Sequence, residues 1–414
     1  VTTLNIVGAG LAGLSAAVAA LPHWKRVRVF EAAPQAGGRC RSYYDTTLNC
    51  RIDNGNHLIL GAYEATLVYA RAIGALDTFY KVAPAAIAFA EPQSGLSWIL
   101  KPDRGPIPFS LFFKDRRVPE TGIFDLIRDI KKLRKADINK TVSETLNPTS
   151  KLFRRLWVPM TLGILNTPPN EASAQLLWSA LSKTLTKGEK SCRPYLPKEG
   201  LSESLIDPAI EKIENIKFNT PLKDLKNENG RIVGLNFGKE TVPLDQKDAV
   251  ILALPPKQTS KFIPDLEPPK GANTILNIHF RLQAEARIKG GAPFLGLVGT
   301  LTQWLFTRGH IASVTVSAAN AIDNDNIAPK VWAEIAPYLE EDDSTVPRHR
   351  IIREKRATFH QSPLNANHRP GTATAFSNLF LAGDWTATEL PATIEGAILS
   401  GQWAEEAARN RFLI

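Results

Sequence analysis

The chain has 414 residues, long enough for two lobes, because single hydrophobic cores stop growing near about 250–300 residues. With 43% hydrophobic and 22% charged residues it is not a disordered chain, and three cysteines are too few for a disulfide framework or a metal site such as zinc. The net charge of +9 favours an anionic partner; without an RNA-binding or zinc-finger pattern, an anionic membrane surface fits better than nucleic acid.

The N-terminal stretch "LNIVGAGLAGLSAAVAAL" reads as a short strand, a glycine turn and an Ala-rich helix, and not as a signal peptide. Gly8 makes the tight turn, Gly10 lets backbone approach a pyrophosphate, and Gly13 lets the helix pack on the strand. Leu11 and Ala12 open that helix, whose N-terminus faces the phosphates. A second strand, "RVRVFE", ends in Glu31, placed to accept hydrogen bonds from an adenosine ribose. This order predicts an α/β, Rossmann-type dinucleotide-binding domain. After Glu31 comes a second glycine turn, Gly37-Gly38-Arg39, which can bring backbone and a guanidinium to a diphosphate. NAD dehydrogenases have no need of that turn. Arg41 reads equally as a helper there or as a surface charge.

The stretch "RIDNGNHLILGAY" places Asp53, Asn54, Gly55, Asn56 and His57 inside an otherwise apolar run. From about residue 65 to 195 the pattern is mainly helical. Within it, "GIFDLIRDIKKLRKA" has apolar residues at Ile123, Ile127, Ile130 and Leu133 and a basic outer face. Residues 114–140 hold nine Lys/Arg against five Asp/Glu, beside Phe109, Leu111, Phe112 and Phe113. That combination reads either as a solvated face or as an interfacial membrane contact. Strands are expected around the "NENG" turn, at "DAVILALPP", and at "NIHFRL", "QWLFTRG" and "IASVTVSA", with a helix near Lys330 to Leu339. No stretch is long and apolar enough to span a bilayer.

The last lobe carries "NLFLAGDWTATELPATIEGAILSGQWAEEAAR". An apolar strand delivers Gly383-Asp384, whose carboxylate can accept from a hydroxyl. A helix is expected to start at Pro391, with the amides of Ala392, Thr393 and Ile394 at its positive N-terminal end.

The Glu-x5-Gly-Gly-Arg spacing resembles the FAD-binding start of the amine oxidase and carotenoid desaturase superfamily. Ile52-Asp53-Asn54-Gly55 with His57, "LPKEGLSESLIDP", "QWLF", "EKRATF" and "LFLAGDWTATELPATIEGA" together resemble the squalene-associated FAD-dependent desaturases, now understood as hydroxysqualene dehydroxylases. The resemblance covers nearly the whole chain. It departs from the family at Asn56, where members mostly carry Gln, and at Glu199 and Glu389, where they tend to have Gly.

The resemblance implies an FAD-binding domain from residues 1–64, 198–265 and 350–414, and an inserted mixed α+β substrate domain from 65–197 and 266–349. It implies that Leu222 lies near the adenine and that Gly55, Asn56 and His57 run past the isoalloxazine ring, with Asp384 at the ribityl chain and the amides of Ala392, Thr393 and Ile394 at the flavin's pyrimidine edge. Asp53 and Asn54 then read as turn formers. The implied reaction is hydroxysqualene plus reduced FAD giving squalene, water and oxidised FAD, in bacterial squalene and hopanoid synthesis. It would run in the cytoplasm, peripherally at the inner membrane, with upstream squalene-pathway synthases as partners.

His57 is the candidate proton donor, or the group fixing the substrate hydroxyl; a backbone-satisfied buried histidine is the alternative. Trp304, Phe306 and Trp385 read as cavity wall or core. Three other functions stay open: a carotenoid-type desaturase, an amine oxidase and a non-enzymatic prenyl-binding escort. Leu390-Pro391, standing where an amine oxidase would carry an aromatic, argues against the second.

Overall fold

A computed structural model describes residues 2–105, 117–323, 325–340 and 345–413. The strand Thr3–Val7 lies at the centre of a five-stranded parallel sheet. On one side lie Arg26–Phe30 and then Ile216–Lys217; on the other lie Ala249–Leu252 and then Leu379–Leu381. Thr3–Val7 and Ala249–Leu252 are buried at every position, as apolar strands covered on both faces must be. The helix Leu11–Ala20 covers this sheet and packs against the C-terminal helix Ile394–Phe412.

That helix pair meets at very short range. A Cβ on Gly401 would stand 2.1 Å from the Ala12 carbonyl oxygen and 2.2 Å from Ser15 Oγ. Ser15 Oγ instead donates to the Ile398 carbonyl at 2.8 Å, and Trp24 Nε1 donates to Glu405 at 3.1 Å. The same C-terminal helix reaches a third element through Glu395. Its buried carboxylate accepts from the Ala65 and Thr66 amides, both at 2.9 Å, and so caps the helix Glu64–Ala72. The Glu64–Ala72 helix thus packs with the elements of the five-stranded parallel sheet.

A seven-stranded sheet forms the second layer, ordered Arg348–Phe359, Ala272–Arg281, Ile311–Val316, Trp304–Arg308, Phe294–Leu297, Ile87–Glu91, Leu96–Leu100. The mainly helical expectation for residues 65–195 needs correction at these last two strands. They are short, and their period-two pattern (Ile87 and Phe89 inward, then Trp98) is hidden between longer helical segments. The sheet also runs past residue 350, since Arg348–Phe359 stays paired with Ala272–Arg281 as far as Ala272↔Phe359.

Alternation decides what each face of this sheet does. Leu276, Ile278 and Phe280, with Leu305, Val314 and Val316, pack under the helix Ile327–Ile335 through Val331, Trp332 and Ile335. Each such fully buried side chain contributes about 1.5–3 kcal/mol. Asn277, His279, Ser313, Thr315, Phe306 and Arg308 must therefore point the other way; a one-residue slip would bury the polar set under the helix.

Helices of residues 123–183 form the remaining layer, around Trp157, Leu177 and the aromatic group Phe89, Trp98 and Phe294. Phe109, Leu111, Phe112 and Phe113 lie outside the described residues. Among the described residues, no helix is long and apolar enough to cross a membrane.

The contact at Gly401 yields a direct test. Gly401→Ala puts a methyl group into the Ala12 carbonyl, and overpacking of this kind costs ~1–3 kcal/mol. Urea denaturation of the purified protein should show a matching fall in midpoint at unchanged slope.

Candidate functional site

The glycine turns at the C-terminal edge of the parallel sheet have different physical causes. Gly8, at φ +108°, and Gly13 are demanded by packing. A Cβ on Gly8 would lie 2.4 Å from the Ala253 oxygen, and one on Gly13 would lie 1.8 Å from the Gly8 oxygen. Gly10 has no atom within 4 Å of that position, so the backbone there is open to a ligand. Gly38, at φ +57°, stands across from it, its Cβ position 3.5 Å from Gly10 Cα, and Gly37 N donates to the Ala9 carbonyl at 2.8 Å. Leu11 and Ala12 form the first turn of the adjoining helix, with Gly10 as its N-cap. This cradle of backbone at a helix N-terminus fits the diphosphate of a dinucleotide.

Glu31 follows the strand Arg26–Phe30 beside the cradle, where its carboxylate accepts from Ala9 N at 2.7 Å and Ala33 N at 2.8 Å. A carboxylate has about four acceptor positions, so two bonds leave capacity for a ribose. Leu222 packs at the edge of the cluster containing Val7 and Phe30, close to the end of the Arg26–Phe30 strand. Arg39 and Asp384, expected at the diphosphate and the ribityl chain, form an ion pair at 2.7 Å. The Asp384 charge raises the Arg39 pKa, and Arg39 also donates to the Ala357 carbonyl at 2.6 Å. Arg41 donates to the Gly38 carbonyl.

At the far end of the site two expectations are corrected. The C-terminal helix starts at Ile394, not Pro391: Thr393 is its N-cap and accepts from Gly396 N at 3.2 Å. The Ala392 amide donates to the buried side chain of Gln361 at 2.9 Å, which leaves Thr393 and Ile394 at the helix end. Arg369, also absent from the sequence expectations, binds the whole preceding loop. It donates to the Asp384 carbonyl at 2.9 Å, to Thr388 Oγ1 at 3.1 Å and to the Leu390 carbonyl, and lies over the Phe359 ring. Burial lowers its pKa to about 10, so it stays charged at neutral pH. Glu389 has φ +62°, the left-handed region glycine favours. Gly383 accommodates Trp385, whose buried indole donates to the Leu254 carbonyl at 3.0 Å; Trp385 is core.

The 51–63 stretch faces a cavity of about 180 Å³. Its walls include Asp53, Asn56 and His57, then Leu196 and Leu201, then His279, Phe306, Arg308 and Ser313 from the seven-stranded sheet. Asp53 is not a turn former. It closes the strand Cys50–Asp53, and its buried carboxylate accepts from Ser42 Oγ at 2.6 Å and Leu201 N at 2.9 Å. Its second oxygen pairs with Arg308 at 2.7 Å. Asn56 Nδ2 donates to Thr315 Oγ1 at 3.1 Å, and Thr315 Oγ1 donates to Asn277 at 3.0 Å. Gly55 is close to this chain, since a Cβ there would press on Asn277 Nδ2 at 3.1 Å. Phe306 is cavity wall, whereas Trp304 joins the aromatic packing with Phe89 and Phe294.

Two histidines line the cavity, and both are held neutral. Burial lowers the His57 pKa, opposed by Asp53 and assisted by Arg39. His279 is 2% exposed with Nδ1 at 2.8 Å from Ser313 Oγ; burial lowers its pKa to about 4, against the pull of Asp53. His279 was not singled out in the sequence. Only its strand register marks it, as a polar residue on the face opposite Ile278 and Phe280.

The fold and site can be set beside known proteins. The family model "Flavin containing amine oxidoreductase" matches residues 11–408. A hydroxysqualene dehydroxylase of Sinorhizobium fredii is 37% identical over 412 residues, 98% of each chain. One of Rhodopseudomonas palustris is 37% identical over 412 residues, 98% of this chain and 97% of the other. The solved cyclohexylamine oxidase of Brevibacterium oxydans superposes over 100% of both chains with a TM-score of 0.73 at 14% identity, a likeness of fold.

The buried histidine makes stability depend on pH. Between about pH 6.5 and 4 the unfolded chain binds a proton at His279 that the folded protein does not, so stability falls with acid. At about 1.4 kcal/mol per pH unit, His279 should account for ~3 kcal/mol lost between pH 7 and pH 4. Chemical denaturation across that range should show a shallower loss in His279→Phe.

Proposed function

The chain belongs to the flavin containing amine oxidoreductases and, among them, to the hydroxysqualene dehydroxylases, and from that membership we propose that it converts hydroxysqualene to squalene. The protein is an FAD-dependent oxidoreductase acting on an isoprenoid. The observation that carries this reading is the match to dehydroxylases along nearly the whole chain, from the first glycine turn to the C-terminal helix. Leu390-Pro391 before that helix supplies no aromatic for a substrate amine.

Gly8, Gly10, Gly13, Glu31, Gly38, Arg39 and Asp384 would hold FAD, with Leu222 towards the adenine and Gly55, Asn56, Thr393 and Ile394 towards the ring. When bound and reduced, FAD supplies the hydride that replaces the hydroxyl. The protein's share is to orient the alcohol and keep water away from the carbon that loses it. Phe306, Leu196, Pro197 and Ile311 give the cavity an apolar wall for the isoprenoid arms. His57, uncharged at rest, is the candidate relay: one ring nitrogen takes up a proton from solvent as the other gives its proton to the departing oxygen, which leaves as water.

A carotenoid-type desaturase would run the redox chemistry in the opposite sense. Anaerobic incubation of dithionite-reduced, flavin-loaded enzyme with hydroxysqualene should yield squalene. His57→Ala should lower turnover by about 10²-fold or more, in the 10²–10⁴ range of general acid catalysis, with the flavin spectrum unchanged. No squalene from the wild-type enzyme would refute the reading.

We also infer docking at an anionic membrane surface, where such a substrate is dissolved and where upstream synthases would release it. The helix Ile123–Arg134 packs inward through Ile123 and Leu133, while Phe124 is 80% exposed beside Arg128, Lys131, Lys132 and Lys135. Each such basic residue contributes about 1 kcal/mol near an anionic surface. Co-sedimentation with anionic vesicles should weaken as salt rises and fall about tenfold or more in Lys131→Glu/Lys132→Glu. Equal binding to neutral vesicles would remove the electrostatic part.

A further inference from the structure

Most polar groups around the cavity already have partners. Asp53 is taken by Arg308, Ser42 and Leu201; Asn56, Thr315 and Asn277 form a closed chain. His279 is different. It is 2% exposed and its Nε2 meets no partner at normal hydrogen-bond geometry, while the Asp53 backbone pulls the ring's pKa upward. A buried polar atom left in that state is costly, and a native site tolerates it where a ligand completes it. Its place among the lining residues of the cavity says where that ligand would come from.

We propose that His279, oriented by Ser313, is the residue that binds the substrate's hydroxyl group, an assignment that rests on the dehydroxylase reading above. Ser313 lies directly opposite His279 in the paired strands, and its hydroxyl sits 2.8 Å from Nδ1. Donation from Ser313 to Nδ1 leaves the proton on Nε2, which then donates to an alcohol oxygen in the cavity. Burial keeps the imidazole uncharged at neutral pH, which suits a neutral alcohol and gives no attraction to a diphosphate. On the same face, Phe306 and Ile311 supply the apolar surface for the carbon chain on either side of that oxygen. At about 180 Å³ the cavity is smaller than the roughly 300–1,000 Å³ of drug-sized sites. It therefore takes the oxygen-bearing centre of the chain and not the whole of it. The side-chain pair selects the alcohol over the hydrocarbon product, which also favours product release.

The test compares binding of hydroxysqualene and squalene, presented in detergent micelles, to the flavin-loaded oxidised enzyme, where no turnover occurs. Perturbation of the flavin absorbance reports occupancy. The wild-type enzyme should prefer hydroxysqualene. His279→Phe, which keeps the buried volume filled, should lose about tenfold in hydroxysqualene affinity, the equivalent of one hydrogen bond, with squalene affinity within twofold of wild type. Ser313→Ala should lose about threefold, again for the alcohol alone, because the Nε2–H form is no longer held. A His279→Phe enzyme that keeps the full preference overturns the assignment. If that variant does not fold, a full preference in Ser313→Ala overturns it instead. A wild-type enzyme that makes no squalene fails the dehydroxylase reading itself, a result separable from either of these.

Discussion

The buried Asp53 carboxylate is the joint on which the site depends. It collects Ser42, Leu201 and Arg308, from three segments far apart in the chain. One partner precedes it in the same hairpin, the second begins the "LSESL" segment, and the third ends a strand of the seven-stranded sheet. A buried carboxylate is stable only when its oxygens are satisfied, and removing one partner of such a pair typically costs about 3–5 kcal/mol. The carboxylate therefore sets the distance between the 51–57 stretch and the sheet opposite. The cavity is the space that this distance leaves.

The seven-stranded sheet supplies the other half of the constraint. Its outer face is fixed by aliphatic burial under the Ile327–Ile335 helix, which leaves no choice about where Asn277, His279, Ser313 and Thr315 point. Their polarity is costly unless it is used. Asn277 and Thr315 use it with Asn56, so that the sheet grips the stretch expected beside the flavin ring. Packing in one layer thus generates recognition in the next.

Around the expected cofactor site, the protein holds a loop more than it holds a surface. Arg369 binds carbonyls at Asp384 and Leu390, and Gln361 binds the Ala392 amide, so the segment from Asp384 to the C-terminal helix is pinned by buried side chains. The strained Glu389 backbone sits inside that pinned loop. Strain of this kind persists where the surroundings over-determine it.

The nucleotide-binding half was legible in the sequence because its physics is local. Gly8, Gly10 and Gly13 lie within one turn, Glu31 follows the next strand, and Asn229-Gly230 closes its hairpin with both residues at positive φ. The start of the last helix was misplaced because Pro391 is a helix opener by type, whereas Thr393, capping onto Gly396, sets the boundary. The strands at 87–100 were too short to stand out from their helical surroundings. Asp53, His279, Arg369 and Gln361 could not be assigned from sequence, because their partners lie 11 to 255 positions away and burial gives the pairings their strength. Sequence alone determined which cofactor class the chain is built for, since glycine turns and helix ends bind phosphate through their own backbone. Tertiary structure alone decided which polar groups meet in the cavity, since a side chain's chemistry there depends on what water it has lost and which partner replaced it.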